Sequence, residues 1–143
     1  MKNYSDAQIH SLIKRFEARK LPKEEWTHLA HLVAAIWYCS TFPLKEALEI
    51  VRTKISQYNE SLGNSNTDSD GYHESITKFW LLTAKHFLAN KSSESLSTLC
   101  DDFINSKRSQ SDFILMFYSK EKLFSVEARR NWVQPDLKGI YEA

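Results

Sequence analysis

Glycine and proline are scarce in this chain, three of each in 143 residues, and there are only two cysteines. Isolated glycines leave no loop that cradles a phosphate and no nucleophile elbow, which argues against dinucleotide and nucleoside-triphosphate enzymes. Cys39 and Cys100 fall inside helical patterns without metal-type spacing, so they read as buried reduced thiols and not as a disulfide framework. An excess of one charge is missing too. With 19 basic and 18 acidic residues, a net charge of +1 and no long run of either sign, nothing favours nucleic acid or an anionic membrane. No apolar run is long enough to span a bilayer, and Met1 to Asp6 lacks the apolar core of a signal peptide. A cytoplasmic location is the expectation.

What the chain does have is 42% apolar and 13% aromatic residues, which excludes a disordered chain. Its length suits a single domain over residues 1–143. Apolar residues recur with the helical period, so the expected fold is all-α: a four- to six-helix bundle with a C-terminal arm packed over it. A first helix capped by Ser5 or Asp6 carries Ile9, Leu12, Ile13 and Phe16, with Glu17 at the edge of that stripe, and ends near Lys20. A second, Glu24 to Cys39, is apolar nearly all round and belongs in the middle of the bundle. Thr41-Phe42-Pro43 ends it. The third, Pro43 to about Leu62, shows a stripe of Leu44, Ala47, Leu48, Val51, Ile55, Tyr58 and Leu62.

Gly63 to Gly71 is rich in residues that bond their own backbone or tolerate positive φ, and reads as a loop. A fourth helix over Tyr72 to Ala89 turns His73 and Thr77 inward and sets Glu74 on the other face with Lys78 and Lys85. A fifth, capped at Ser92 or Ser93, carries Leu96, Leu99, Cys100 and Phe103. Ser111 to Tyr118 has the composition of a buried strand, but a short sixth helix fits a helical chain better. Ser125 opens a last short helix, and the remainder forms the arm.

The chemistry concentrates in histidine. His28 and His31 stand at i and i+3 on helix two, and His73 opens helix four. Imidazole and carboxylate converging from separate helices make a metal site in a bundle, for which His28, His31, His73 and Glu17 are the candidate ligands of a divalent metal ion. They serve acid–base chemistry equally, with His28 and His73 as the candidate catalytic pair acting on a small molecule. Each of these histidines also has an ordinary reading as a core side chain that hydrogen-bonds across the bundle. Tyr118 and Arg129 are placed to close over a cavity, or else to sit at the bundle edge and in a surface ion pair. His10 and His86 read as surface residues.

The segments Trp26-Thr27-His28-Leu29-Ala30-His31-Leu32, Gly71-Tyr72-His73-Glu74 and Ser125 to Arg129 through Trp132 to Leu137 resemble those of a family of small bacterial all-helical proteins with no assigned reaction. That resemblance covers most of the chain and points to His28, His31, His73 and Glu74, with Arg129 and Asp136 in the arm. The Trp-to-His-Leu segment is also similar to the DinB-like four-helix metalloproteins, which implies a divalent ion held by histidines from separate helices. Two functions from different classes follow: a histidine-containing pocket for a metal or a small molecule, or a non-catalytic module whose arm contacts a partner or a second copy.

Overall fold

The computed structural model describes residues 4–91 and 94–140. Among these there is no strand. Helices α1 (Asp6–Glu17), α2 (His28–Thr41), α3 (Leu44–Ser61), α4 (Glu74–Leu88) and α5 (Leu96–Ile104) form the bundle, and two short helices, α6 (Lys120–Leu123) and α7 (Val126–Arg130), lie in the arm. Single 3-10 turns occupy Lys23–Glu25, Lys107–Ser109 and Phe113–Met116. No helix is long and apolar enough to cross a membrane among the described residues.

Helix starts follow local chemistry. Ser5, Thr27, Ser95, Ser119 and Ser125 each accept a backbone N–H in the first turn that follows, and Ser5 completes a capping box with Gln8. The cap expected at Ser92 or Ser93 lies outside the described residues; Ser95 caps α5. Helix α2 begins at His28, four residues later than its apolar pattern suggests. Thr27 is extended and takes the Ala30 N–H, so the chain leaves the 3-10 turn at Trp26 (φ −87°, ψ 63°) before the helix starts. Likewise His73 caps α4 and is not part of it. Phe113–Met116 winds as a 3-10 turn, helical as expected but tighter.

Two apolar clusters hold these elements. The larger joins α1 to α5 through residues such as Ile9, Phe16, Val33, Ile36, Tyr58 and Phe103; the smaller joins α4 to the arm through Phe79, Phe117, Tyr118, Leu123, Ala128 and Val133. Helix α4 is shared between them, with Leu81 and Ala84 in the first and Phe79 in the second. Glu74, expected to face outward, is buried at 8% exposure, with Arg52 and Tyr72 on its carboxylate. Helix α3 is the opposite case. It buries only Ala47, Val51 and Tyr58, and Leu62, expected in its stripe, is 38% exposed at the helix end.

The Thr83 hydroxyl is the one fully buried side-chain polar atom without a hydrogen-bond partner among the described residues. An unpaired buried hydroxyl costs about 1–3 kcal/mol. Thr83→Val keeps the shape and removes the cost, so urea unfolding is expected to show a gain of about 1 kcal/mol. A loss of stability would show instead that the hydroxyl is bonded in solution.

Candidate functional site

The histidines that the sequence singles out meet different fates. His73 uses both ring nitrogens: Nδ1 accepts the Ile76 N–H at 3.1 Å, and Nε2 donates to the Leu123 carbonyl at 2.7 Å. No lone pair remains for a metal or a substrate proton. Desolvation lowers its pKa below the ordinary value, the Leu123 bond opposes that, and nearby Arg129 adds to the fall. His28, the first residue of α2, donates from Nε2 to the Ser109 carbonyl at 2.8 Å and lies edge-on to Trp80. The Glu17 carboxylate receives the Tyr38 hydroxyl at 2.5 Å. Burial and that bond push the Tyr38 hydroxyl far above the ordinary tyrosine range.

His31 differs from the rest. Its ring packs on Trp26 at 3.9 Å between centroids, tilted by 31°, and its Nδ1 lies 2.7 Å from the Thr27 carbonyl. A carbonyl only accepts, so Nδ1 carries the proton and Nε2 presents a lone pair. Desolvation of the ring lowers its pKa, the Thr27 bond raises it, and His28 lowers it further; the net shift is downward. The residue is exposed by surface area, so solvent limits the size of that fall. At neutral pH the ring is uncharged and Nε2 has no partner among the described residues.

These positions do not suit a metal. A divalent ion needs lone pairs converging on one point, whereas His28, His31, His73 and Glu17 end on separate partners. Among the described residues no three His, Cys, Asp or Glu side chains are grouped to hold an ion.

The structure instead opens a cleft between α2, α3 and α4. Its inner part, about 70 Å³, is walled by His31, Ala34, Ala35 and Tyr38 of α2, by Val51 and Ile55 of α3, and by Ile76, Thr77, Trp80 and Leu81 of α4. The α2 set follows i, i+3, i+4, i+7, one helical face, and its two alanines leave the space. The outer part, about 570 Å³, adds Lys23, Asn59, Asn64, Asp70, Tyr72 and His73. Trp26, His31, Ile55, Ile76 and Thr77 line both parts, so the two adjoin. His31 and His73 therefore share a cavity, while His28 and Glu17 do not line it.

A built loop forms the mouth. The Asn66 side chain accepts from Asn59 and from the Tyr72 N–H and donates to the Ser56 carbonyl, pinning the loop to α3. Gly71 has φ +84°, and a Cβ there would lie 2.6 Å from both Asn66 Oδ1 and the Ser65 carbonyl. From the arm, Arg129 donates to the Gly71 and Tyr72 carbonyls and Arg130 pairs with Asp68. Glu74 takes a two-pronged bond from Arg52 at 2.9 and 2.7 Å and the Tyr72 hydroxyl at 2.7 Å. Burial alone would raise its pKa, but those bonds outweigh burial and leave it lowered. Tyr118 closes over nothing: it is fully buried, and its hydroxyl donates to the Val133 carbonyl. Asp136 anchors the arm by accepting the Ser119 N–H and hydroxyl. Asn59, Asn66 and Arg52 escaped the sequence reading because a lone amide or guanidinium on a helix flank or in a polar loop carries no periodic signal.

No family model, no curated protein and no solved structure matches this chain.

Two measurements follow. Folding favours neutral His73, so its contribution is complete above the unfolded value near 6.5 and is lost as pH falls through the lowered folded value. The melting temperature of the native chain should drop between about pH 7 and pH 5, while His73→Asn, which keeps a capping oxygen but loses the Leu123 bond, should show a shallower drop. His31 shifts in the same direction, so part of the slope survives; parallel curves would refute the role of His73. Gly71→Ala should cost about 1–3 kcal/mol in urea unfolding from positive φ and the clash with Asn66, and an unchanged midpoint would show that the loop relaxes freely.

Proposed function

We propose that this protein binds a small organic molecule in the cleft between α2, α3 and α4, with His31 as the polar group at the junction of its two parts. The observation that supports this most is adjacency: an apolar inner hollow and a polar outer one of about 570 Å³ are lined by the same five residues. Ligand sites generally combine an apolar wall with a few fixed polar groups. His31 supplies such a group, because the Thr27 carbonyl sets its tautomer and Trp26 sets its plane.

Acid–base chemistry on the bound molecule is an extension of this reading. The fixed Nδ1–H leaves Nε2 able to take a proton, although the lowered pKa makes it a weak base. The other class, an assembly module, draws support from the arm, where Met116, Phe124, Val126 and Leu137 are 48–61% exposed. Sedimentation would report the dimer that this second reading requires.

Protein-observed NMR of the nitrogen-15-labelled chain with a library of small organic fragments tests the first reading. Binders should perturb the indole signals of Trp26 and Trp80, and Ala35→Leu, which fills the inner part, should weaken them about tenfold or more while keeping the native near-ultraviolet spectrum. Leu137→Ala, on the arm, should leave them unchanged. Fragments that bind elsewhere, or that bind the Ala35→Leu protein equally well, would refute the cleft as the site.

A further inference from the structure

We infer that the molecule held in this cleft is an uncharged aliphatic alcohol, its hydroxyl donating to His31 Nε2 and its short hydrocarbon end lying against Ala34 and Ala35; this rests on the cleft reading above.

The tautomer of His31 selects the polar group of the ligand. With Nδ1 committed to the Thr27 carbonyl, Nε2 is an acceptor with no partner among the described residues, so the matching ligand group is a donor. The other polar groups beside it are already engaged. Thr77 donates to the His73 carbonyl at 2.8 Å, His73 is bonded at both nitrogens, and Tyr72 donates to Glu74.

Charge is disfavoured for a separate reason. The buried Glu74 carboxylate is already paired with the half-exposed Arg52, and the charged residues of the mouth, Lys23 and Asp70, are of opposite sign and exposed. A carboxylate or ammonium drawn in against the buried Ala34 and Ala35 would lose water, and no Asp, Glu, Lys or Arg among the described residues lines that inner part to pair with it. A cation would ordinarily look to an aromatic face, but Trp26 has Phe16 on one side at 4.4 Å and His31 on another at 3.9 Å.

Size sets the apolar half. The inner part holds about 70 Å³, whereas a cavity that takes up benzene measures about 150 Å³. A short aliphatic group fits there and an aromatic ring does not.

Three probes with one carbon skeleton separate these claims: 3-methyl-1-butanol, 3-methylbutylamine and 3-methylbutanoate, each titrated at about pH 7.5 into the full nitrogen-15-labelled chain. The alcohol is expected to give saturable shifts at the Trp26 and Trp80 indoles and to move the His31 Nε2 resonance in the direction of an accepted hydrogen bond. Both ions should require about tenfold higher concentration or more. His31→Phe keeps a ring on Trp26 and should weaken the alcohol about tenfold, the loss expected of one hydrogen bond left unmade. If an ion binds at the indoles as well as the alcohol does, or if His31→Phe leaves the alcohol unaffected, the ligand class is wrong while the cleft stands. If none of the three shifts the indole signals, while fragments of other chemistry do, the alcohol assignment alone fails. If no fragment does either, the cleft reading fails with it.

Discussion

The start of α4 buries His73, Glu74 and Ser75 and cannot hand these side chains to water. Every one of them is answered within the protein. His73 takes the Ile76 N–H and reaches Leu123, Glu74 holds Arg52 and Tyr72, and Ser75 donates to the Asn131 carbonyl while accepting the Val133 N–H. Buried polar groups left unpaired are costly, so this turn dictates where α3, the arm and the preceding loop sit. The mouth of the cleft is a by-product of that requirement, since the residues that answer it also form its outer wall.

Helix α2 supplies the complementary condition. Ala30, Ala34 and Ala35 let neighbouring helices approach it, and the face carrying Ala34 and Ala35 is where α3 and α4 leave a gap. Trp26, released from the helix by the Thr27 cap, folds back between Phe16 and His31 and closes one side of that gap. Large aromatic rings and small methyl groups within one helical turn produce a wall with a recess in it, where uniform leucines would have filled the space.

The histidines illustrate how a shared residue type conceals different work. His73 is a helix cap and a tie to the arm, His28 a tie to the turn at Ser109, and only His31 lines the cleft with a nitrogen to offer. The pair favoured for catalysis on sequence grounds, His28 and His73, is held by backbone carbonyls, and the residue between them has the accessible lone pair.

Local pattern was enough for the all-α class, the stripe of α1, that of α3 short of Leu62, the loop at 63–71 and the inward turn of His73, because each depends on residues within a few positions of one another. The start of α2 was missed for a local reason: Thr27 caps more strongly than Trp26 continues a helix. Other features lay beyond any local pattern. Glu74 points inward because Arg52 and Tyr72 meet it there, and a helical wheel knows nothing of a second cluster on the far side of α4. That His73 and His28 have their Nε2 atoms engaged was decided by carbonyls 50 and 81 residues away. A sequence states which groups can donate and accept; only packing brings a distant carbonyl within 3 Å and so decides which of them have already done so.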